Sequence, residues 1–434
     1  MNKAFKAIWS DVRQSFVTTS EIQPSHGKRS KASVSLSVAT VLLATSGLVS
    51  AAYVETGTLG DKASWETAEY NYNWGLGAMN ASSAYALGFY GQNTTTGVMD
   101  SGAWLGNPDL DTPRITATHV TGVYGSSGNR YPQSIYATIQ KGVVPTAAEG
   151  QPFTEGEEFD VKGDYTLGLN DAHGTQVTGV IGAERNGEYG HGVAFKANVV
   201  VGNTGATDNN NYGPFQDYNY YFKGYKALAD AVNAGNGEYR GGMVNNSYGT
   251  NTKIYSSGGH RLTPDEMSEL LAGSGNYDRA SAAYAVTFSG DYSFLGLNDV
   301  PGADQYSTNP SAFEWEYMYF KLKYGDKPSF LDGAYDAVKG TNVILSWAAG
   351  NQDRGTPYLK GLYPYFHPEA EKNWLNAVGV MQTRGDNDQY MQATYCKAGL
   401  AKWWSMSGPT AYPGIGTTYV TTDLENGRLT TTGF

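Results

Sequence analysis

Short runs of apolar and β-branched residues recur through the middle of the chain, and each run ends in a polar or small residue. These runs predict four strands, the first ending at residues 98–100 and the others at residues 197–201, 243–247 and 342–347. Helical patterns separate them, at residues 225–233 and 333–340. This alternation predicts an α/β fold, a parallel β-sheet flanked by helices, with functional residues at the carboxyl ends of the strands.

Two long inserts interrupt the pattern, at about residues 203–221 and 250–329, and the second contains a helical stretch near residues 265–272. Residues 53–73 are polar and aromatic without a clear period, so we expect them to form an N-terminal extension of the mature chain. The α/β domain itself is expected to occupy residues 74–434.

Composition narrows the possible classes of function. Apolar residues make up 40% of the 434 residues and charged residues 16%, which is enough apolar material for a large core. The net charge of −11 argues against a nucleic-acid partner, because phosphate contacts need clustered lysine and arginine. Cys396 is the only cysteine, so an internal disulfide is impossible.

The first fifty residues have the layout of a secretory signal peptide: a basic head, an apolar stretch at residues 34–49, and the small residues Ser50-Ala51-Ala52. The apolar stretch is shorter than the roughly 20 residues that a membrane span needs. The alternative, a buried core helix, is disfavoured by the basic flank and the N-terminal position. We therefore assign residues 1–52 to an extended signal peptide.

The head is unusually long, and its sequence resembles the extended signal peptide region of Gram-negative autotransporters and related surface adhesins. Trp9 and Ser20-Glu21 carry the resemblance. It implies export through the inner membrane and a passenger that is cell-surface, outer-membrane or secreted. It also implies outer-membrane translocation by a C-terminal β-barrel, which we do not expect to find within these 434 residues.

Three candidate catalytic residues lie at the ends of predicted strands or at the start of a predicted helix. Asp100 ends the first strand before a Ser-Gly turn, where a carboxylate is more often a cap. His173 opens a helix and is followed by Gly-Thr. Asn351 follows a strand and the small residues Ala348-Ala349-Gly350, and its amide could donate to a developing oxyanion. The helix from His173 carries an apolar face below the imidazole and two small residues suited to close packing: Val177, Val180 and Ile181, then Gly179 and Ala183.

Together these segments resemble the subtilisin-like serine proteases, whose chain order is Asp, His, oxyanion Asn, Ser. The resemblance implies a three-layer fold and peptide-bond hydrolysis of protein or peptide substrates. Asp100 would be the orienting acid, His173 the general base and Asn351 the oxyanion donor. The walls of the substrate pocket would be Ser247, Tyr248, Gly249, Ala348, Ala349 and Gly350.

The chain departs from the family pattern in its last part. No Gly-Thr-Ser tripeptide, the motif of the family's nucleophile, occurs, so we expect the fold to be incomplete at the C-terminus and the nucleophile to be absent. Ser405 and Ser407 are poor substitutes, since they are predicted to lie in a loop before Gly408-Pro409 with no helix to follow. Related autotransporter subtilases carry a cysteine pair here, of which only Cys396 is present. The alternative function is a non-catalytic, adhesin-like surface passenger that keeps the protease fold.

Other candidates are weaker. His191 is expected to be a structural or surface residue. Oxygen-rich clusters at residues 208–211 and 386–388 could bind Ca²⁺, but they match no EF-hand spacing. We therefore interpret them as solvated loops. We expect no cofactor and no metal at the catalytic residues, with structural calcium the one metal left open.

We predict that the signal peptide is removed after Ala52, so that the mature chain begins at Tyr53. N-terminal sequencing of exported protein measures this. A mature chain that still begins at Met1 would contradict the assignment.

Overall fold

The structure is a computed structural model that describes residues 5–10, 15–20, 53–130, 151–164, 173–188, 190–204, 217–237, 241–248, 327–351, 356–382, 390–392, 395–410, 418–423 and 428–433. The chain divides into two compact units, Met1–Ala52 and Tyr53–Phe434, and the division coincides with the predicted cleavage point. In the first unit, strands β1 (Phe5–Ser10) and β2 (Ser15–Ser20) pair antiparallel. No helix among the described residues is both long and apolar enough to span a bilayer.

The second unit contains a series of strands and helices whose bounds are as follows. The strands are β3 (Thr95–Asp100), β4 (Ile115–Ala117), β5 (His119–Val123), β6 (Gly128–Arg130), β7 (Gln151–Phe153), β8 (Glu158–Lys162), β9 (Asn198–Asn203), β10 (Gly241–Asn246), β11 (Asn342–Ala348), β12 (Trp374–Gln382), β13 (Tyr390–Gln392), β14 (Ser405–Pro409), β15 (Thr418–Asp423) and β16 (Arg428–Gly433). The helices are α1 (Ala68–Asn71), α2 (Trp74–Ala78), α3 (Ala81–Ala86), α4 (His173–Gly182), α5 (Tyr218–Gly235), α6 (Phe330–Val338) and α7 (Leu359–Phe366), with 3₁₀ turns at Lys62–Trp65, Pro368–Asn373 and Gly399–Trp404.

Eight strands form one central sheet in the order β13-β12-β11-β10-β3-β9-β4, and β14 also pairs with β12. Every pairing in this sheet is parallel except that between β12 and β13. The remaining pairs, β5–β8, β6–β7 and β15–β16, are antiparallel. The predicted α/β fold with a largely parallel sheet is confirmed, as are its four predicted strands.

Side chains of the sheet alternate between two cores, one on each face. On one face, Met99 of β3 packs in a cluster with residues of α5 and α6, including Tyr225 and Phe330. On the other face, Val98 packs with Val199 and with residues of α4. The sheet is therefore the middle layer of three.

Capping residues set where the two large helices begin. Asp217 accepts a hydrogen bond from the Tyr220 N–H, so α5 starts at Tyr218. The prediction of an insert extending to residue 221 was therefore wrong at its end. Ser329 and Asp332 form a capping box that starts α6 at Phe330. Residues 205–216 and 249–326, including the helix predicted near 265–272, lie outside the described residues.

Residues 53–86 belong to the same compact unit as the sheet. Trp65, Tyr70 and Tyr85 form an apolar cluster with Phe195, which lies in the segment before β9. The Arg185 side chain is fully buried against this cluster, with its guanidinium carbon 5.1 Å from the Trp65 ring centroid. Arg185 Nη1 lies 3.3 Å from Glu55 Oε1, so a buried cation connects the N-terminal segment to the loop after α4.

His191 lies in the same region and is fully buried, so its expected role as a structural residue holds and a surface position is excluded. Its Nδ1 contacts the Gly192 carbonyl oxygen at 2.8 Å, and its ring packs against Phe195 at 4.9 Å between centroids. Burial lowers the pKa of His191 from 6.5 to about 4.

We predict that His191→Phe makes stability less dependent on pH between about 6.5 and 4. The folded imidazole stays neutral in this range while the unfolded one takes up a proton, so the wild-type chain loses stability as pH falls. The loss amounts to about 3 kcal/mol at pH 4. Thermal or urea unfolding of both proteins across this range measures the difference. Parallel stability curves would show that His191 does not titrate in this way.

Candidate active site

Asp100 and His173 meet at the carboxyl end of the central strand β3. His173 Nδ1 lies 2.8 Å from Asp100 Oδ1, and the same oxygen accepts the Ser101 N–H at 2.8 Å. The Asp100 side chain is fully buried and that of His173 is 28% exposed. Because a carboxylate only accepts, Nδ1 carries the proton, and Nε2 has the lone pair that a general base uses.

The Gly-Thr pair after His173 explains how the helix reaches the strand. A Cβ on Gly174 would lie 2.2 Å from the Gly102 carbonyl oxygen, so only glycine allows this approach. The Gly174 N–H donates to Ser101 Oγ at 2.9 Å, and the Trp104 N–H donates to Thr175 Oγ1 at 3.0 Å. Gly102 itself has a φ of +87°, which favours glycine. The His-Gly-Thr and Asp-Ser-Gly segments thus pack closely against each other and are joined by hydrogen bonds.

Helix α4 presents small side chains to the rest of the fold. Gly174, Thr175, Thr178, Gly179 and Gly182 are its buried residues. The predicted close packing at positions 179 and 183 is confirmed, and the side chains at 177 and 181 pack against the core. The prediction for Val180 was wrong: it is 40% exposed, because small residues occupy the innermost positions of the helix.

Strand register aligns the other predicted site segments with Asp100. Met99 is level with Asn246 on β10, which is level with Trp347 on β11. The residue that follows each of these three in the chain is a predicted site residue, so Asp100, Ser247 and Ala348 form one row at this edge of the sheet. Neighbouring strands are about 4.8 Å apart, so this row spans about 10 Å.

The wall segments differ in burial. Ser247 is half-buried and Tyr248 buried, while Gly249 lies outside the described residues. Ala349 is buried, and its N–H donates to the Ala377 carbonyl oxygen at 2.9 Å. Gly350 has a φ of +121°, and the Asn351 that follows it is exposed. The amide at position 351 is therefore at the surface, where a substrate could reach it.

The two serines considered as substitutes for the family's nucleophile lie in a strand. Ser405 and Ser407 lie in β14, so the loop predicted for them was wrong. The Ser405 hydroxyl donates to the Ala401 carbonyl oxygen and accepts from Asn376 Nδ2, at 2.7 and 2.8 Å. These bonds give Ser405 a structural role. The Cys396 side chain is buried, and the backbone N–H of this residue donates to the Gly350 carbonyl oxygen at 3.0 Å.

The two oxygen-rich clusters considered for calcium, residues 208–211 and 386–388, lie outside the described residues. Among the residues that are described, no group of three or more histidine, cysteine or acidic side chains is placed to hold a metal ion.

Sequence reasoning missed some residues that shape the site. The Ser101 hydroxyl and the Thr175 hydroxyl each bind a backbone N–H across the contact between β3 and α4. Their signal was present as the polar residues of Asp-Ser-Gly and His-Gly-Thr. Lys360 was not recognised, because nothing near it in sequence indicates that its side chain is buried.

Comparison with known proteins supports the same family. Residues 91–432 match the subtilase family of peptidases, and residues 1–50 match the extended signal peptide of the type V secretion system. An extracellular serine protease of Serratia marcescens is 31% identical over 163 residues, which are 38% of this chain and 12% of that protein. Serotype-specific antigen 1 of Mannheimia haemolytica is 34% identical over 72 residues, 17% of this chain and 7% of that protein. The alignments thus span 12% or less of these relatives' own lengths.

The solved structures that match this chain have only a low overall similarity to it. The nisin leader peptidase NisP of Lactococcus lactis has a TM-score of 0.38 and 12% identity, covering 85% of this chain and 80% of that one. The epidermin leader peptide processing protease EpiP of Staphylococcus aureus has a TM-score of 0.38 and 13% identity, covering 85% of this chain and 68% of that one.

The extended signal peptide and the extracellular relatives place the protein at the cell surface or outside the cell. The family match covers most of the chain and includes both Asp100 and His173. This chain is therefore a member of the subtilase family of serine peptidases, exported by an extended signal peptide of the type V secretion system.

Proposed function

We propose that the protein is a serine endopeptidase in which Asp100 orients His173, and His173 removes the proton from a serine hydroxyl as that hydroxyl attacks a peptide carbonyl. Asn351 donates to the oxygen of the tetrahedral intermediate. The peptide substrate lies between the segment that begins at Ser247 and the segment 348–350. When the intermediate collapses, the peptide C–N bond breaks and His173 gives its proton to the leaving amine, which leaves an acyl-enzyme. Water, losing a proton to His173, then attacks the acyl-enzyme, and the proton returns to the serine oxygen as the carboxylic acid product leaves.

The contact between His173 Nδ1 and Asp100 Oδ1 carries this proposal. An imidazole that donates to a fully buried carboxylate is held in one tautomer, and its protonated form is stabilised when it accepts a proton. Asp100 Oδ1 is itself fixed by the Ser101 N–H, so the carboxylate cannot rotate freely. A histidine with only a structural role would not need a buried carboxylate at a strand end to fix its tautomer while its own ring stays 28% exposed.

The proposal extends to export. The extended signal peptide supports a passenger that crosses the outer membrane through a C-terminal β-barrel translocator of the same polypeptide. Protein substrates outside the cell follow from this location. The alternative is a non-catalytic passenger that keeps the fold. Hydrolysis of a peptide substrate by the folded full-length protein separates the two functions.

We predict that Asp100→Asn in the full-length protein lowers kcat for peptide hydrolysis by about 10⁴-fold and leaves the fold intact. The amide carries no charge to hold the protonated imidazole and favours the wrong tautomer. Steady-state kinetics on a peptide substrate and a thermal melt measure the two effects.

The chain provides a matched control. Asp160 forms a second aspartate–histidine contact, with His119 at 2.6 Å, but both side chains are more than half exposed. Asp160→Asn should leave kcat unchanged. Near-normal activity of His173→Ala would refute the assignment, and absence of hydrolysis by the folded full-length protein would favour the non-catalytic passenger.

We predict that the 434-residue chain does not react specifically with a serine-directed fluorophosphonate probe, because it contains no Gly-Thr-Ser motif. Labelling of the purified chain, beside its heat-denatured form, tests this. Specific labelling that disappears in His173→Ala would show that one of its serines is the nucleophile.

A further inference from the structure

Lys360, near the start of α7, has a side chain that is almost completely buried, at 1% exposure. Its Nζ donates to the Tyr248 carbonyl oxygen at 2.9 Å. The ammonium lies 4.7 Å from the centroid of the Tyr248 ring and 5.9 Å from that of Trp347. Removing an ammonium from water is costly, and these contacts offset part of that cost.

The carbonyl that Lys360 binds belongs to a segment that is held at several points. The hydroxyls of Tyr248 and Tyr225 are 2.6 Å apart, and Tyr225 donates to Asn246 Oδ1 at 2.5 Å. Asn246 Nδ2 in turn donates to the Ser346 carbonyl oxygen at 3.1 Å. Both ends of Tyr248, the backbone carbonyl and the phenol, are therefore fixed.

The start of α7 also contacts the other wall of the proposed pocket. Tyr358, the residue before the helix, donates its N–H to the Ala349 carbonyl oxygen at 2.9 Å. Its ring lies directly against Gly350, where a Cβ would be 2.1 Å from Tyr358 Cε2. Two residues of one helix start, Tyr358 and Lys360, thus contact the segments that follow β11 and β10.

We propose that Lys360 is a positioning residue for the peptide substrate, holding the segment at Ser247 and Tyr248 at a fixed distance from the segment 348–350. This inference rests on the proposed function. Lys360 acts through the backbone that forms one wall of the proposed substrate pocket and takes no part in the chemical step. It therefore affects binding of a substrate that extends along that backbone, and not turnover.

The test compares Lys360→Met and Lys360→Arg in the full-length protein, using a hexapeptide and a single-residue ester as substrates. Met matches the length of lysine but donates no hydrogen bond, so KM for the hexapeptide should rise about tenfold, with kcat within about twofold. KM for the ester should not change, because the ester does not extend along the strand. Arg retains a charged donor, so its KM should lie nearer the wild-type value.

The two substitutions separate positioning from packing. If the side chain only filled space, Met would be the better replacement and Arg the worse, and both substrates would suffer equally. That pattern, or an unchanged hexapeptide KM in a folded Lys360→Met, would overturn the inference. Lys339→Met is the matched control, since Lys339 is exposed at the end of α6 and should alter neither parameter.

Failure of the proposed function would look different. Equal hydrolysis by the wild-type protein and by His173→Ala would refute the catalytic assignment whatever Lys360 does. If Lys360→Met unfolds below the assay temperature, Lys360→Arg alone decides, because a restored donor then predicts a near wild-type KM and a packing role predicts a raised one.

Discussion

The close approach of α4 to the end of β3 is the constraint on which the site depends. Gly174 lies against the backbone of Gly102, at a distance that no side chain at position 174 would permit. This contact brings His173 to Asp100 directly and lets the Ser101 and Thr175 hydroxyls bind backbone N–H groups across the junction. An Ala at position 174 would force the helix away from the strand and lengthen the imidazole–carboxylate contact before it changed any other part of the site.

The same requirement explains the small residues of α4. The helix needs small side chains at its innermost positions, since the strands beneath it already carry bulky ones such as Val199 and Val201. Parallel strands then place their carboxyl ends at one edge. Residues far apart in sequence, Asp100, Ser247 and Ala348, consequently share one row, and the start of α7 contacts the segments that follow β10 and β11.

Local patterns in the sequence predicted the elements that depend on local forces. The β-branched runs gave β9 and β11 close to their observed bounds, and the residues Asp100 and His173 were placed correctly at a strand end and a helix start. Helical periodicity gave the wrong position for Val180, because it cannot tell that small residues occupy the innermost positions of this helix. The start of α5 was hidden in a polar, tyrosine-rich stretch where only Asp217 marked the cap. The burial of Lys360 and Arg185 could not be predicted, since each packs against a ring more than 100 residues away in the sequence, Tyr248 and Trp65 respectively.

These two buried cations suggest how a chain without an internal disulfide joins distant segments. Arg185 packs on Trp65 and pairs with Glu55, which ties the N-terminal residues to the loop after α4. Lys360 packs on Tyr248 and binds its carbonyl, which ties α7 to the end of β10. In both cases an aromatic face and an oxygen acceptor together replace part of the lost hydration. Cross-links of this kind form only as the chain folds, and they join these segments without a disulfide.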